Sequence, residues 1–233
     1  MKRLALISFL SVLLVTLDGC RSLDKALFTV PTASLNTRLP VLETSVEASA
    51  LSRSTGATAD DAQKLFRLEL DRNLMDDKDT TTYGTIKLSI SKVANQRTGR
   101  GLHIFQLATL LTPSLLGIPI EWYQTQLQAE VQIVDVKDNI LATYKGKGES
   151  KIRVAVYHGY SQKGAPRLAD IEAVRQALNE IRPQLAADSR FLREQLILAK
   201  TAGVVTISDV PGFNTAEPAD STARPAPAGS KPE

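Results

Sequence analysis

Cysteine, serine and histidine side chains could supply a nucleophile or a general base, and in this chain they form no catalytic pattern. The 233 residues include one cysteine, Cys20, and two histidines, His103 and His158. Ser161 follows a glycine by two positions, but Lys163 stands where a nucleophile elbow needs its second glycine. We interpret this stretch as a loop after a strand and predict no catalytic residue in it.

Three other patterns could bind ions or hydrolyse a substrate. Residues 144–151, YKGKGESK, lack the spacing of a phosphate-binding loop, and glycines within a strand more often mark a bulge or a bend. The acidic residues 76–79 lack the glycine and glutamate of an EF-hand, so we predict no metal and no cofactor. Carboxylates such as Glu121 and Glu149 leave open a hydrolase of an envelope polymer, although no pattern fixes the separation of about 5 to 10 Å that glycoside hydrolysis needs. We predict that the protein is not an enzyme and keep this hydrolase as the alternative.

Cys20 follows a short apolar segment. Lys2 and Arg3 precede an uncharged, mostly apolar run over residues 4–17, which is shorter than the roughly 20 residues that a spanning helix needs. This pattern is typical of a secretory signal. We therefore predict that residues 1–19 are a signal peptide.

The end of that segment, Leu17-Asp18-Gly19-Cys20, resembles the lipobox of bacterial lipoproteins, although the family prefers a small neutral residue where Asp18 stands. The resemblance implies that Cys20 becomes the mature N-terminus, carries acyl chains such as palmitate and attaches the protein to a membrane. Lipidation would also remove an unpaired thiol from an oxidising compartment. The alternative is a plain signal peptide followed by an incidental buried cysteine. Arg21, which is not the aspartate that retains enterobacterial lipoproteins at the inner membrane, favours the outer membrane.

Composition divides the rest of the chain. Residues 20–40 contain serine, threonine and proline and are predicted to be a lipid-anchored tether, whereas residues 41–200 are predicted to be one domain. Residues 201–233 are rich in proline and alanine, so we predict a disordered tail. The formal net charge of +3, without a run of five like charges, excludes the usual nucleic-acid footprint.

Hydrophobic periodicity predicts strands and helices in the domain. A strand is expected near residues 41–48, and a capping-box pattern at Thr58 and Asp61 predicts a helix over about residues 60–75. Strict alternation predicts further strands in three places, namely around Ile86, Leu88 and Ile90, from Tyr123 to Ile133, and from Ile140 through Val156. The second and third of these form an antiparallel hairpin with a turn at VKDN.

The alanine-rich C-terminal half of the domain predicts two more helices. The first begins at Asp170, and Pro183 is expected to kink or end it. A second helix, capped by Asp188 or Ser189, would run to about Ala199. Together the elements predict an α+β fold, with a largely antiparallel sheet of four or more strands and helices packed on one face.

Residues 101–122 form the most apolar stretch of the domain. They are predicted either to be a core helix followed by a turn at Pro113, or to rest on a membrane or a partner. If the stretch rests on a membrane or a partner, the side chains expected to make the contact are Leu110, Leu111, Leu115, Leu116 and Trp122.

Three features together resemble a known class. The apolar LLTPSLLGIP, the long hairpin and the helix EAVRQALNEI are similar to those of uncharacterised bacterial envelope lipoproteins, and more distantly to the curli-secretion and TolB N-terminal-like class. The resemblance implies a non-enzymatic accessory or assembly protein of the cell envelope, with an envelope protein partner or self-association. A periplasmic binding module is a further alternative.

Overall fold

The structure is a computed structural model that describes residues 23–51, 54, 56–76, 81–99, 101, 104–105, 108–109, 118–155 and 160–204. The predicted signal peptide, Cys20 and most of the predicted tail lie outside these residues, as do Leu110, Leu111, Leu115 and Leu116.

The described chain folds as a four-stranded mixed sheet with helices packed on one face, which confirms the predicted α+β class. The strands are β1 (Glu43–Glu47), β2 (Gly84–Thr98), β3 (Glu121–Asp135) and β4 (Ile140–Val154), and the helices are α1 (Leu23–Leu27), α2 (Ala59–Glu69) and α3 (Ala165–Val204). The sheet order is β1-β2-β3-β4, with β1 parallel to β2 and the other neighbours antiparallel. A π-helical turn, Leu70–Leu74, continues α2.

Alternation along the strands separates a helix-covered face from a polar face. On the helix-covered face the core residues of β2 and β3 include Ile86, Leu88, Ile90, Leu127, Ala129, Val131 and Ile133. A bulge between Ile90 and Lys92 then shifts the register, so that Val93, opposite Leu127, continues the helix-covered face. The polar face carries mainly glutamine, lysine, glutamate and threonine side chains.

The β3–β4 hairpin closes at the predicted turn. The Asp135 carboxylate accepts hydrogen bonds from the backbone N–H groups of Lys137 and Asn139, at 2.7 and 2.9 Å, and from the Asn139 amide at 3.0 Å. Asp138 adopts φ 62°, a left-handed conformation that aspartate tolerates better than most residues. Burial would raise the pKa of Asp135, but these hydrogen bonds outweigh it and lower that pKa.

The capping box at the start of α2 is confirmed. The Thr58 hydroxyl accepts from the Asp61 N–H at 3.3 Å, and the Asp61 carboxylate accepts from the Thr58 N–H at 3.1 Å. Asp61 also forms a two-point ion pair with Arg167 of α3, at 2.6 and 2.9 Å. The hydrogen bond from Arg167 is the largest cause of the lowered pKa of Asp61.

The prediction that Pro183 ends a helix is wrong, because one helix of 40 residues runs through it. A proline inside a helix costs about 3 kcal/mol, which the packing on either side offsets. Ile181 and Leu185 are buried in the core, and Arg182 donates to Glu69 at 2.8 Å. The helix begins at Ala165, five residues before the predicted start.

The predicted second cap is also wrong, because Asp188 and Ser189 lie inside α3. Asp188 instead accepts a hydrogen bond from the Tyr144 hydroxyl at 2.9 Å. Burial, together with this bond, raises the pKa of Tyr144.

The segment before β1 differs from the predicted tether, because residues 23–40 pack on the domain. Its apolar residues Leu27, Val30, Leu35 and Leu39 are buried in the core. Arg175 of α3 donates to the carbonyls of Ala26 and Leu27, both at 2.9 Å, and so holds the end of α1. The serine, threonine and proline residues between the apolar positions conceal this packing in the sequence.

Two glycines in β4 let α3 lie directly on the strand. A Cβ atom at Gly148 would lie 1.8 Å from the Ala173 carbonyl oxygen, and one at Gly146 would lie 2.4 Å from that of Ala177. These are the glycines of YKGKGESK, and they serve close helix–strand packing.

Candidate functional site

The two ends of the sheet differ in their surroundings. At one end Trp122 of β3 lies between Thr98 of β2 and Arg153 of β4, and we call it the Trp122 end. At the other end β3 and β4 are joined by the hairpin turn that follows Asp135, and we call it the turn end. Trp122 is the last residue of the stretch for which the sequence predicts membrane or partner contact.

The N-terminal part of the described chain also lies at the Trp122 end. Tyr160 forms a bridge with Val154, the last residue of β4, and so brings the start of α3 to this end. Leu23 packs at the same place, since a Cβ atom at Gly164 would lie 3.0 Å from its Cδ2 atom. Three residues span at most about 11 Å, so Cys20 can lie no farther than that from Leu23.

Exposed apolar side chains occur in the β2–β3 connection, which joins the strands at this end. Ile104 is 69% exposed, Phe105 56% and Ile118 39%. The Thr109 N–H and hydroxyl both donate to the Phe105 carbonyl, at 3.1 and 2.9 Å, as in a helical turn. The described apolar residues of this connection therefore do not form the buried helix of the core interpretation.

Trp122 combines an aromatic surface with a cation. Its ring is half-buried, and the Lys151 ammonium lies 5.0 Å from the ring centroid. Lys151 is exposed and forms no ion pair with the described residues. An indole beside an exposed ammonium suits a boundary between an apolar phase and anionic groups.

An ion pair stabilises the helix-covered face next to Trp122. Glu121 is fully buried, and its carboxylate binds the Arg97 guanidinium, which raises the pKa of Arg97. Arg97 also lies 5.5 Å from the centroid of the Tyr123 ring. The pair joins β2 to β3 where the apolar connection begins and ends.

The two carboxylates of the hydrolase alternative lie on opposite faces of the sheet. Glu121 shares its face with Leu127, whereas Glu149 pairs in register with Gln126 and lies on the polar face. Glu149 is exposed and accepts from the Gln126 amide at 3.3 Å. These two carboxylates therefore cannot flank one glycosidic bond.

A cleft of about 960 Å³ lies beside the part of β2 that follows the bulge and no longer pairs with β1. Its lining combines hydroxyl and amide side chains with one ammonium, one carboxylate and small apolar groups: Ala50, Ser54, Ser91, Val93, Ala94, Asn95, Gln126, Leu127, Gln128, Lys147, Gly148, Glu149 and Gln176. The two charges cancel, so the cleft suits a polar ligand without a large net charge.

Asp170 fixes one wall of this cleft. Its buried carboxylate accepts from the Ser54 hydroxyl at 2.7 Å, the Ala57 N–H at 3.0 Å and the Thr125 hydroxyl at 2.9 Å. Asp170 thus joins α3, β3 and the loop after β1. These bonds identify it as a structural residue.

The two edge regions of the sheet differ in whether other groups cover the backbone of the strand. Along β4, the Lys147 and Glu149 N–H groups donate to Glu180 and Gln176 of α3, at 2.7 and 3.4 Å. The Gln184 amide donates to the Lys145 carbonyl at 3.0 Å and extends this row of helix side chains. On the other edge, no strand of the described chain pairs with β2 beyond Ser89. Helix side chains thus protect the β4 edge, and the cleft borders the open edge of β2.

Ser161, which the sequence offered as a nucleophile, has a structural role. The Ser161 hydroxyl accepts from the Gly164 N–H at 3.1 Å, next to the start of α3. Within the described ranges, no three histidine, cysteine, aspartate or glutamate residues could together hold a metal ion. Lys151 escaped the sequence-based search because only the β3–β4 register brings it near Trp122.

No family model matches the chain, and no curated protein matches it. No helix in the described part of the chain is both long and apolar enough to cross a membrane.

Proposed function

We propose that this chain is a non-enzymatic, lipid-anchored accessory or assembly protein of the bacterial cell envelope. In this proposal Cys20 is the acylated mature N-terminus and the outer membrane is the preferred location. The resemblance of Leu17-Asp18-Gly19-Cys20 to a lipobox supports the anchor.

One observation carries the proposal. Leu23 packs beside Gly164 at the Trp122 end, so a lipid on Cys20 would enter the membrane close to the exposed Ile104 and Phe105. Two or more acyl chains hold a protein firmly at a membrane, whereas one chain binds only marginally. Glu121 and Glu149 lie on opposite faces of the sheet, which argues against a hydrolase that uses these two carboxylates together.

The test is the intact mass of the protein extracted from membranes with detergent. We expect a chain that begins at Cys20 and carries the mass of a diacylglycerol and an acyl group. The Cys20→Ala chain, exported behind a general secretory signal, should be recovered mainly in the soluble envelope fraction. A wild-type protein without a lipid adduct would contradict the proposal.

The cleft favours a second candidate, a periplasmic module that binds an uncharged polar ligand. Amide side chains such as Gln126, Gln128 and Asn95 suit the hydroxyl and acetamido groups of a glycan. Soluble oligosaccharides of N-acetylglucosamine should then raise the melting temperature, and Gln126→Leu should abolish that rise. If these oligosaccharides leave the melting temperature unchanged, the glycan form of this candidate fails.

A further inference from the structure

We propose that the Trp122 end docks directly on an anionic lipid membrane, with Ile104, Phe105 and Ile118 inserted and Trp122 at the boundary. This inference deepens the proposed function, on which it rests for the position of the anchor. In this arrangement the domain lies against the membrane, whereas a tether would hold the domain away from it.

The apolar part of this surface is built from side chains that the fold leaves in solvent. Ile104 and Phe105 are adjacent and more than half exposed, and Ile118 lies at the other end of the same connection. Large apolar side chains grouped on the surface of a domain mark interaction sites more often than single ones do. Inserting them removes apolar area from water, which favours binding to the acyl region of a bilayer.

The polar part of the surface matches the headgroup region. Indole rings are enriched at membrane interfaces, and an ammonium nearby is attracted to anionic lipid phosphates. Lys151 supplies that charge, since it is exposed and forms no ion pair with any described residue. Arg97 is neutralised by Glu121 and contributes little net charge. Lys151 therefore favours an anionic lipid surface as the occupant over an uncharged apolar protein groove.

The position of the N-terminal segment gives the third argument. Because residues 23–40 pack on the domain, the chain cannot lift the domain away by extending them. Only two residues lie between Leu23, where the packed chain begins, and Cys20, so the anchor and the apolar surface reach the same membrane plane together. Two weak membrane signals at one end of a domain reinforce each other.

The experiment measures binding of the secreted Cys20→Ala chain to vesicles of phosphatidylglycerol and phosphatidylcholine. We expect binding to phosphatidylglycerol-rich vesicles and at least a tenfold loss of affinity in Ile104→Asp/Phe105→Asp. The matched control is Val136→Asp/Ile140→Asp, which makes the same change at two exposed apolar residues of the turn end and should leave affinity unchanged. Circular dichroism of both variants shows whether each is folded.

Three results would overturn docking. One is a Cys20→Ala chain, without further substitutions, that does not bind anionic vesicles, and another is an equal loss of affinity in both double variants. The third is sedimentation showing a dimer that only Ile104→Asp/Phe105→Asp dissociates, because the occupant would then be a second copy of the chain. Since this chain lacks the lipid, failure here is distinct from the failure of acylation, which the mass of the wild-type protein reports.

Discussion

Both ends of the sheet expose large apolar side chains, but their neighbours differ. At the turn end Val136 is 46% exposed and Ile140 60%, and they flank Lys137, Asp138 and Asn139 within a tightly hydrogen-bonded turn. At the Trp122 end Ile104 and Phe105 adjoin one another, in a connection that ends beside an indole and an ammonium without an ion pair among the described residues. Single apolar side chains on a surface are ordinary. The residues next to an exposed apolar side chain therefore decide whether it marks a contact site.

The two ends also differ in what their charged groups do. Asp135 holds the turn together, and the hydrogen bonds that it accepts lower its pKa. Glu121 and Arg97 stabilise the other end as an ion pair in which only the carboxylate is fully buried, which leaves the cation of Lys151 available to a ligand. Substitutions at the two ends should therefore separate stability from membrane binding.

The largest effect on stability is expected from Arg97→Ala at the Trp122 end. It leaves the fully buried Glu121 without its cation, and we expect a loss of about 2 to 4 kcal/mol, reduced from the fully buried case because Arg97 is partly exposed. Urea unfolding measures the loss. The control is Arg97→Ala/Glu121→Leu, which should recover most of it because no unpaired charge remains. Equal loss in both variants would show that packing, not the ion pair, is responsible.

Asp135→Ala at the turn end should cost about 1 to 3 kcal/mol, because it removes the acceptor of three hydrogen bonds. The pKa of Asp135 is lowered from its ordinary 3.8, so its stabilisation is present above that value and is lost as the pH falls through the lowered pKa. The difference in melting temperature between wild type and variant should accordingly shrink below about pH 4. A difference independent of pH would contradict this role.

Lys151→Gln should have the smallest effect, and on binding alone. One lysine near an anionic surface contributes about 1 kcal/mol, so affinity for phosphatidylglycerol vesicles should fall roughly fivefold at low salt while stability stays unchanged. Lys137→Gln in the hairpin turn is the matched control and should bind as the wild type does. An equal decrease in both would show that net charge alone drives binding.

The sequence predicts the local elements of this fold well. Alternation in β2 and in the hairpin identifies the faces of the sheet, and Thr58 with Asp61 locates the start of α2, because these signals depend on residues near each other in the chain. Pro183 misleads because its cost is offset by packing against the sheet and by Arg182, which are distant in sequence. The bulge after Ile90 similarly changes the face on which Arg97 lies.

The candidate site is predicted only in part. The apolar stretch 101–122 is visible in the sequence, and Trp122 is placed at its end. That Leu23 and Lys151 meet the same end of the sheet depends on tertiary packing and on strand register, which a single sequence does not specify. The docked position of residues 23–40 escapes prediction for the same reason.

The most direct measurement of docking uses Trp122, the only tryptophan of the chain. The acylated protein is placed in phosphatidylglycerol vesicles whose acyl chains carry bromine, and tryptophan fluorescence is recorded. Docking predicts strong quenching of Trp122, and little quenching in Trp122→Phe/Ile140→Trp, where the indole lies at the turn end. A wild-type protein that is bound through its lipid but unquenched would contradict docking and show that the domain stands away from the membrane.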